Sequence, residues 1–401
     1  MKVIERSYYV PFALVSVLFL LWGLANNMTD TLLAAFKNIM DMSDTQTSLI
    51  QFAFYGAYFC FAIPAALFIR KYTFKLGIIL GLALYVLGTM LFYPAAVTES
   101  YPFYLVAIYI MAGGCSVLET AANPYIMSMG SPETATRRLN VAQSLNPVGS
   151  ITGILVSQAF ILRDISLYSV SGTYMGLGIV LMAIFVLMLF YKMPGGRDQD
   201  KDSISATLSR LWKRRRYRYG VITQFFYIGA QIGVWSFTIR IVMQETGVAE
   251  ATASNVYLAA IVSFCLARFF FTWLMKYFRS SLLLEMAALA AMVSCAVVSL
   301  AHESHLVVGF LVMTSFCLSL MFPTIYGLSL DGLDKDAKIG ASGPIMSIVG
   351  GALLTPVQGM VSDACGVGAS YLMPLACFLV VLTYAFGIER SEKRKRQTVT
   401  P

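Results

Sequence analysis

The sequence predicts an all-α polytopic membrane protein with twelve transmembrane helices in two six-helix bundles. Three observations carry this prediction: the composition, the length of the apolar runs and the placement of the basic residues. Of the 401 residues, 58% are hydrophobic and only 12% are charged. Soluble domains are about 45–50% apolar and about 25% charged. The composition therefore excludes an ordinary soluble enzyme, a disordered tail and a nucleic-acid module, and it makes the lipid bilayer the main partner.

Twelve apolar runs reach the length of about 20 residues that a spanning helix needs. Helices are expected because they satisfy their backbone hydrogen bonds within lipid, and the runs lack the alternation of barrel strands. The first run ends in polar residues and not at a small-residue cleavage site, so it predicts a span and not a signal peptide. The predicted spans are 11–36, 47–70, 74–93, 102–129, 138–162, 172–192, 219–244, 251–275, 281–300, 306–330, 339–362 and 368–388.

The basic residues predict that both termini face the cytoplasm. With the N-terminus inside, the inner segments carry 25 of the 29 Lys and Arg residues, whereas the outer loops carry only Lys37 and Arg163. This excess follows the positive-inside rule and predicts a multi-pass protein of the cell inner membrane.

The longest polar stretch separates six spans from six and predicts three parts. These are an N-terminal bundle, 1–192, a cytoplasmic basic linker, 193–217, and a C-terminal bundle with a short basic tail, 218–401. Leu208, Leu211 and Trp212 predict a short interfacial helix in the linker. The basic run at 213–216 is expected to face anionic lipid and not a nucleic acid.

The two halves repeat. Asn123-Pro124-Tyr125-Ile126 ends span 4, and Phe322-Pro323-Thr324-Ile325 lies late in span 10. Parallel halves of this kind predict a substrate site near the middle of the bilayer, between the halves. Glycine pairs at i and i+4 predict close helix packing in three places. They are Gly77 and Gly81, Gly149 and Gly153, and Gly229 and Gly233.

Two carboxyl groups, Asp30 in span 1 and Glu119 in span 4, lie inside apolar runs with no basic residue one helical turn away. A charge in mid-bilayer costs at least about 2.5–3.5 kcal/mol, so such residues mark functional sites. One explanation is pairing with Arg240 or Arg268 across helices. The other, which we favour, is a carboxyl group that takes up and releases a proton in a polar cavity.

Side-chain amides accompany both acids and predict the cavity lining. Each amide both donates and accepts hydrogen bonds, which suits the hydroxyl groups of a sugar. Two indoles in mid-span, Trp22 and Trp235, are placed to stack on the apolar face of a pyranose ring. The amides are those of Asn26, Asn27, Asn123, Gln143, Asn146, Gln231 and Gln358.

Four motifs resemble the fucose permease branch of the major facilitator superfamily, over nearly the whole chain. They are Trp22-Gly-Leu-Ala-Asn-Asn-Met-Thr-Asp30, Leu118-Glu-Thr-Ala-Ala-Asn-Pro124, Leu139-Asn-Val-Ala-Gln-Ser-Leu-Asn146 and Tyr227-Ile-Gly-Ala-Gln-Ile-Gly-Val-Trp-Ser236. Within the branch, which also includes glucose/galactose carriers, two segments look more like the fucose members: Gly229-Ala-Gln231 and Ala206-Thr-Leu-Ser-Arg210. The resemblance implies a major facilitator fold.

The resemblance further implies an L-fucose:proton symporter that works by alternating access. Asp30 and Glu119 are then the acids linked to proton and sugar, and Asn146 and the two indoles lie near the sugar. Phe322 stands where the branch would place a tyrosine, and it is expected in the same substrate site. No cofactor or metal is expected beyond the coupling proton, no nucleic-acid partner is expected, and the transporter is expected to be a monomer.

Parts of the sequence are also compatible with other functions. A glucose/galactose or other hexose symporter of the same branch remains an alternative, as does a proton-coupled drug efflux antiporter that uses Asp30 and Glu119 as counter-ions. A non-transporting sensor would normally carry an appended soluble domain. The sequence predicts none, so a sensor is not favoured. An intramembrane hydrolase needs a histidine base within a span, but His302 and His305 share one outer loop, so no enzyme is predicted.

Overall fold

The computed structural model describes residues 3–40, 42, 44–161, 163, 166–194, 202–301 and 305–399. Twelve helical segments in this part of the chain are long and apolar enough to cross a membrane, and it contains no strand, so the predicted fold class is confirmed. The spans are Arg6–Thr29, Leu49–Lys71, Phe74–Val97, Tyr101–Met127, Pro132–Ile161, Leu167–Phe190, Arg215–Thr246, Thr252–Leu274, Ser280–Leu300, Leu306–Leu330, Asp334–Cys365 and Val367–Lys393.

Local sequence signals set several of the helix ends. The hydroxyls of Thr73 and Ser166 accept hydrogen bonds from backbone N–H groups three residues later and so cap the helices of spans 3 and 6. Gly247 ends span 7 in the left-handed conformation, with φ of 66°, which a glycine adopts without steric cost. The first helix continues past the hydrophobic window and runs over Tyr9–Ile39.

Span 5 is not one uninterrupted α-helix. A first piece, Ala135–Gln143, ends at Ser144, and a second piece, Leu145–Val156, leads into a π-helical turn, Ser157–Ile161. The sequence predicted a single run at 138–162, because hydrophobicity does not report a change in backbone hydrogen bonding. Turns of π-helix are often found at functional sites.

Packing divides the chain into two compact units, neither continuous in sequence. The first unit comprises Met1–Pro132, Leu145–Ser209 and Gly332–Met346. The second comprises Glu133–Ser144, Arg210–Asp331 and Ser347–Pro401. The break in span 5 thus coincides with a change of unit. The three parts predicted above, with limits at 192 and 218, remain a prediction.

In the first unit, span 1 packs directly against the second piece of span 5. Glycines make this approach possible: a Cβ atom at Gly149 would overlap the carbonyl oxygen of Leu20, and one at Gly23 would overlap that of Asn146. A Cβ atom at Gly153 would lie 2.6 Å from the carbonyl oxygen of Leu24. The predicted packing role of Gly149 and Gly153 is therefore confirmed.

The other two glycine pairs also lie at helix contacts, as predicted. Cβ atoms at Gly77 and Gly81 would meet side chains within 3.1 Å, since span 3 packs along spans 2 and 4 in the first unit. In the second unit, span 7 packs along the last helix of span 11, and Gly229 and Gly233 face Leu354 and Gln358 there. Small residues therefore set the helix spacing in both units.

The linker forms the short helix that its apolar residues predict, over Ile204–Lys213. Leu211 is buried, whereas Leu208 and Trp212 are 42% and 59% exposed. The helix therefore leaves an apolar flank uncovered by protein, as an interfacial helix would.

Candidate functional site

The side chain of Glu119 is buried at the centre of span 4. It is 2% exposed, and neither carboxylate oxygen has a hydrogen bond within 3.5 Å to the described part of the chain. The hydroxyl of Tyr58 and the amide of Asn123 are the polar groups that lie close enough to interact with it. No ion pair involves Glu119 among the described residues, so the structure provides no support there for pairing with an arginine.

Tyr58, from span 2, connects this carboxyl group to span 1. Its side chain is fully buried, and its hydroxyl accepts a hydrogen bond from the indole N–H of Trp22. Its backbone is also fixed, because the Ser116 hydroxyl donates to the Tyr58 carbonyl oxygen at 3.2 Å. The thiol of Cys115 lies beside both Tyr58 and Glu119. Trp22, Tyr58 and Glu119 thus lie side by side across three helices, and a hydrogen bond joins the first two.

The predicted amides of the first unit have different environments. Asn123 is fully buried one turn after Glu119, whereas Asn26 and Asn27 are half-buried. The Asn27 amide donates to the carbonyl oxygen of Gly23, in its own helix, at 3.3 Å. The Asn146 amide reaches across to span 1, where it donates to the Phe19 carbonyl oxygen at 3.3 Å. Three of the four predicted amides therefore have a carbonyl or carboxylate oxygen in reach.

Asp30 lies in the helix Tyr9–Ile39, two turns after Trp22. Its side chain is outside the described residues. Its role therefore stays a prediction.

In the second unit, Trp235 is held in place by two contacts. Its indole N–H donates to the Ser315 hydroxyl at 3.2 Å, and its ring meets that of Phe264 edge to face, with centroids 5.1 Å apart. The indole is half-buried, so part of its face remains uncovered. This arrangement fits a ring that stacks on a ligand without moving far.

The remaining predicted residues of this unit are Gln143, Gln231 and Phe322. Gln143 ends the first piece of span 5 and is 1% exposed. Gln231 is half-buried, one turn before Trp235. Phe322 is 6% exposed and stacks on Tyr326, with ring centroids 6.4 Å apart. The break at Ser144 puts Gln143 and Asn146 on separate helical pieces.

Two further polar groups in the second unit are buried without hydrogen bonds from the described residues. Both polar atoms of the Gln358 amide are in this state, as are two nitrogens of the Arg268 guanidinium. Arg268 is 2% exposed, its guanidinium carbon lies 5.1 Å from the centre of the Phe264 ring, and it makes no ion pair with any described residue. Arg240, in contrast, is exposed and lies over the ring of Phe237. Arg268 is therefore a buried cation of this unit, as is Arg138, which is 0% exposed.

Sequence reasoning missed Tyr58 and Ser315, the partners of the two indoles. A tyrosine or serine inside an apolar run carries no periodic signal, and its partner is known only once the helices are packed. The described part of the chain contains no group of three or more His, Cys, Asp and Glu side chains arranged for a metal ion.

Comparisons with known proteins agree with the twelve-helix membrane fold. The family described as Major Facilitator Superfamily matches residues 15–349. The chain is 40% identical over 420 residues to the L-fucose-proton symporter of Haemophilus influenzae, covering 96% of this chain and 98% of that one. It is 28% identical over 389 residues to a glucose/galactose transporter of Brucella abortus, covering 95% and 94%. The crystal structure of the E. coli fucose:proton symporter FucP superposes with a TM-score of 0.86 at 36% identity, covering 95% of this chain and 98% of that one.

Proposed function

Because the chain belongs to the Major Facilitator Superfamily, we propose that it imports a neutral monosaccharide, L-fucose in the first instance, together with a proton. The observation that carries this proposal is the buried carboxyl group of Glu119, which has no cationic partner among the described residues and is linked through Tyr58 to the indole of Trp22. A relative that is 40% identical over 96% of the chain bears the name L-fucose-proton symporter.

A proton is the simplest coupling ion for this site. A neutral sugar has no charge on which a membrane potential can act, so uphill uptake needs a co-transported ion. One charge crossing the membrane gains roughly 2.3 kcal/mol per 100 mV, and one pH unit adds about 1.36 kcal/mol. One proton for each sugar therefore supports an accumulation of a few hundredfold, and a carboxyl group that is neutral in one half of the cycle can carry it.

The proposal assigns roles to the predicted residues. Asp30, toward the outer end of span 1, accepts the proton, and Glu119 links protonation to sugar binding. The amides of Asn26, Asn27, Asn123, Gln143, Asn146 and Gln231 bind sugar hydroxyls, and the rings of Trp22, Trp235 and Phe322 contact the apolar face of the sugar. The protein acts as a monomer in the cell inner membrane, with both termini in the cytoplasm.

Transport by the purified protein in proteoliposomes tests this function. Labelled L-fucose is expected to exchange in counterflow, to accumulate when an inward proton gradient is imposed, and to stop accumulating when a protonophore collapses that gradient. Replacing sodium by potassium is expected to leave accumulation unchanged. Accumulation that follows sodium, or outward movement of a cationic drug driven by protons without any sugar transport, would contradict the proposal.

The identity of the sugar is tested in the same vesicles. L-Fucose, D-glucose and D-galactose are compared as competitors of labelled L-fucose in counterflow. Preference for L-fucose is expected. Stronger competition by D-glucose or D-galactose would assign the chain to the activity named for the Brucella abortus relative, which is 28% identical.

A further inference from the structure

Tyr58 occupies a position between a ring proposed to contact the sugar and a carboxyl group proposed to be linked to protonation. The indole N–H of Trp22 donates to its hydroxyl oxygen, and the hydroxyl lies beside Glu119. The tyrosine is 0% exposed, so no bulk water competes for these contacts. Span 1 contributes Trp22, span 2 contributes Tyr58 and span 4 contributes Glu119.

The chemistry of a phenol makes the two contacts of Tyr58 depend on each other. A phenol has a single O–H to donate, while its oxygen accepts. When Glu119 is ionised, its carboxylate draws the Tyr58 proton, because a hydrogen bond to a charged acceptor is roughly twice as strong as a neutral one. The Tyr58 oxygen then becomes a better acceptor, so the hydrogen bond that it accepts from the Trp22 indole strengthens. When Glu119 is protonated, this charge-assisted attraction is lost and the bond from Trp22 to Tyr58 weakens.

We propose that Tyr58 is a positioning residue that couples the protonation of Glu119 to the orientation of the Trp22 indole. With Glu119 ionised, the indole is held against Tyr58. With Glu119 neutral, the indole is released to close on the sugar, so protonation favours sugar binding. The inference rests on the proposed proton-coupled sugar transport and names the physical link between its two ligands.

The groups that face Tyr58 in the described residues are few. Span 4 contributes Cys115 and Glu119, span 3 contributes Tyr85, and span 1 contributes Trp22. Glu119 itself is faced by Tyr58, Asn123 and Cys115. Tyr85 is engaged elsewhere, since its hydroxyl donates to the carbonyl oxygen of Leu21 at 2.9 Å. Glu119 is therefore the carboxyl group that the described residues place in this cluster.

Equilibrium binding of labelled L-fucose to the full-length protein at about pH 6 and about pH 8 tests the coupling. The parent protein is expected to bind more tightly at the lower pH by about 5- to 10-fold, a usual size for coupling between two sites. Tyr58→Phe removes the hydroxyl and keeps the ring. Its Kd is expected to be the same at both pH values and equal to the tight, low-pH Kd of the parent, with counterflow retained and accumulation reduced.

Tyr85→Phe is the matched control. It removes an equally buried hydroxyl from a neighbouring helix, and its Kd is expected to change with pH as the parent's does. Trp22→Phe removes the indole N–H that donates to Tyr58, so it is also expected to abolish the pH dependence of sugar binding. The double variant Trp22→Phe/Tyr58→Phe is expected to show no further change in Kd, because the two residues act through the same contact. Where Tyr58→Phe does not fold, the pH dependence of sugar binding by Trp22→Phe alone decides the question.

Three results would overturn the coupling role. They are a parent-like pH dependence in Tyr58→Phe or in Trp22→Phe, a Kd in Tyr58→Phe fixed at the weak, high-pH value, and additive effects in the double variant. Each of these results presupposes a parent that binds L-fucose more tightly at the lower pH, so it leaves the proposed function standing. A parent that binds L-fucose equally at both pH values overturns the coupling alone, because gradient-driven accumulation decides the proposed function. A parent that does not bind L-fucose at all overturns both.

Discussion

The side-chain amide of Asn146 donates a hydrogen bond to the backbone carbonyl oxygen of Phe19, at 3.3 Å. This bond joins the second piece of span 5 to the helix of span 1, one turn before Trp22. The amide of Asn146 keeps a second N–H and its carbonyl oxygen for other partners. The same side chain thus joins the helix pair and is the one proposed to bind a sugar hydroxyl.

Replacing Asn146 by Ala is expected to weaken L-fucose binding by about 1–3 kcal/mol, which is the cost of leaving a buried partner unpaired. Equilibrium binding of the labelled sugar measures the change in Kd. Thr152→Ala serves as the control, because in the described part of the chain the Thr152 hydroxyl bonds within its own helix, to the Val148 carbonyl oxygen at 2.9 Å. Parent-like sugar binding in both Asn146→Ala and Gln143→Ala would remove the amides of span 5 from the site.

The close approach of spans 1 and 5 makes a separate prediction for stability. Gly149→Ala puts a methyl group where the Leu20 carbonyl oxygen lies, so the helices must move apart. Overpacking of this kind is expected to cost about 1–3 kcal/mol and to lower the melting temperature of the detergent-solubilised protein. Gly172→Ala is the matched control, since a Cβ atom at Gly172 has nothing within 4 Å. Equal melting temperatures for the two variants would contradict the packing role.

The sequence predicted the elements of the fold that depend on hydrophobic length, and it missed those that depend on packing. Long apolar runs determine the twelve spans, because lipid demands them. The break at Ser144 lies inside such a run and leaves no hydrophobic signal. The separation of Leu306–Leu318 from Met321–Leu330 in span 10 is a second example.

The candidate site also contains residues that the sequence predicts and residues that only the packing of the helices reveals. Glu119 and Asn123 were predicted because a carboxyl and an amide are conspicuous in an apolar run. Tyr58 was not, because tyrosine is common in spans and only the packing of span 2 on span 4 brings it to Glu119. Arg268 was weighed as a partner for the acids, but its burial without an ion pair in the described residues was not foreseen.

An ion-pair cluster at the end of span 12 leads to a further stability prediction. Glu389 is 2% exposed, pairs with Arg279 and accepts a hydrogen bond of 2.7 Å from the Ser281 hydroxyl. Glu389→Ala leaves the partly buried guanidinium without this carboxylate, and breaking a buried pair costs about 3–5 kcal/mol. Lys393 contacts the same carboxylate at 3.6 Å but is 63% exposed.

Thermal unfolding of both variants separates the two partners of Glu389. Lys393→Ala is expected to change stability by less than about 1 kcal/mol, as exposed ion pairs do, whereas Glu389→Ala is expected to lower the melting temperature clearly. Similar melting temperatures for the two variants would show that burial does not decide the strength of this cluster.

Substitutions of the two intramembrane acids, Asp30 and Glu119, are expected to impair transport in different ways. An accumulating carrier must release its proton inside before it returns empty, whereas sugar exchange across the membrane needs no such release. If Asp30 is the proton acceptor, Asp30→Asn mimics the permanently protonated form. This variant is expected to abolish accumulation, so that the internal L-fucose concentration only equals the external one, while counterflow continues near the parent rate.

Glu119→Gln is expected to lower both counterflow and accumulation, because Glu119 is buried beside Tyr58 and Asn123 and is proposed to act on sugar affinity as well. Active uptake and counterflow are measured side by side for the parent and both variants, with and without a proton gradient. Glu133→Gln, which neutralises an exposed carboxyl group, is the control and is expected to match the parent. Full accumulation by Asp30→Asn would refute its role as proton acceptor, and loss of accumulation with intact counterflow in Glu119→Gln would exchange the roles of the two acids.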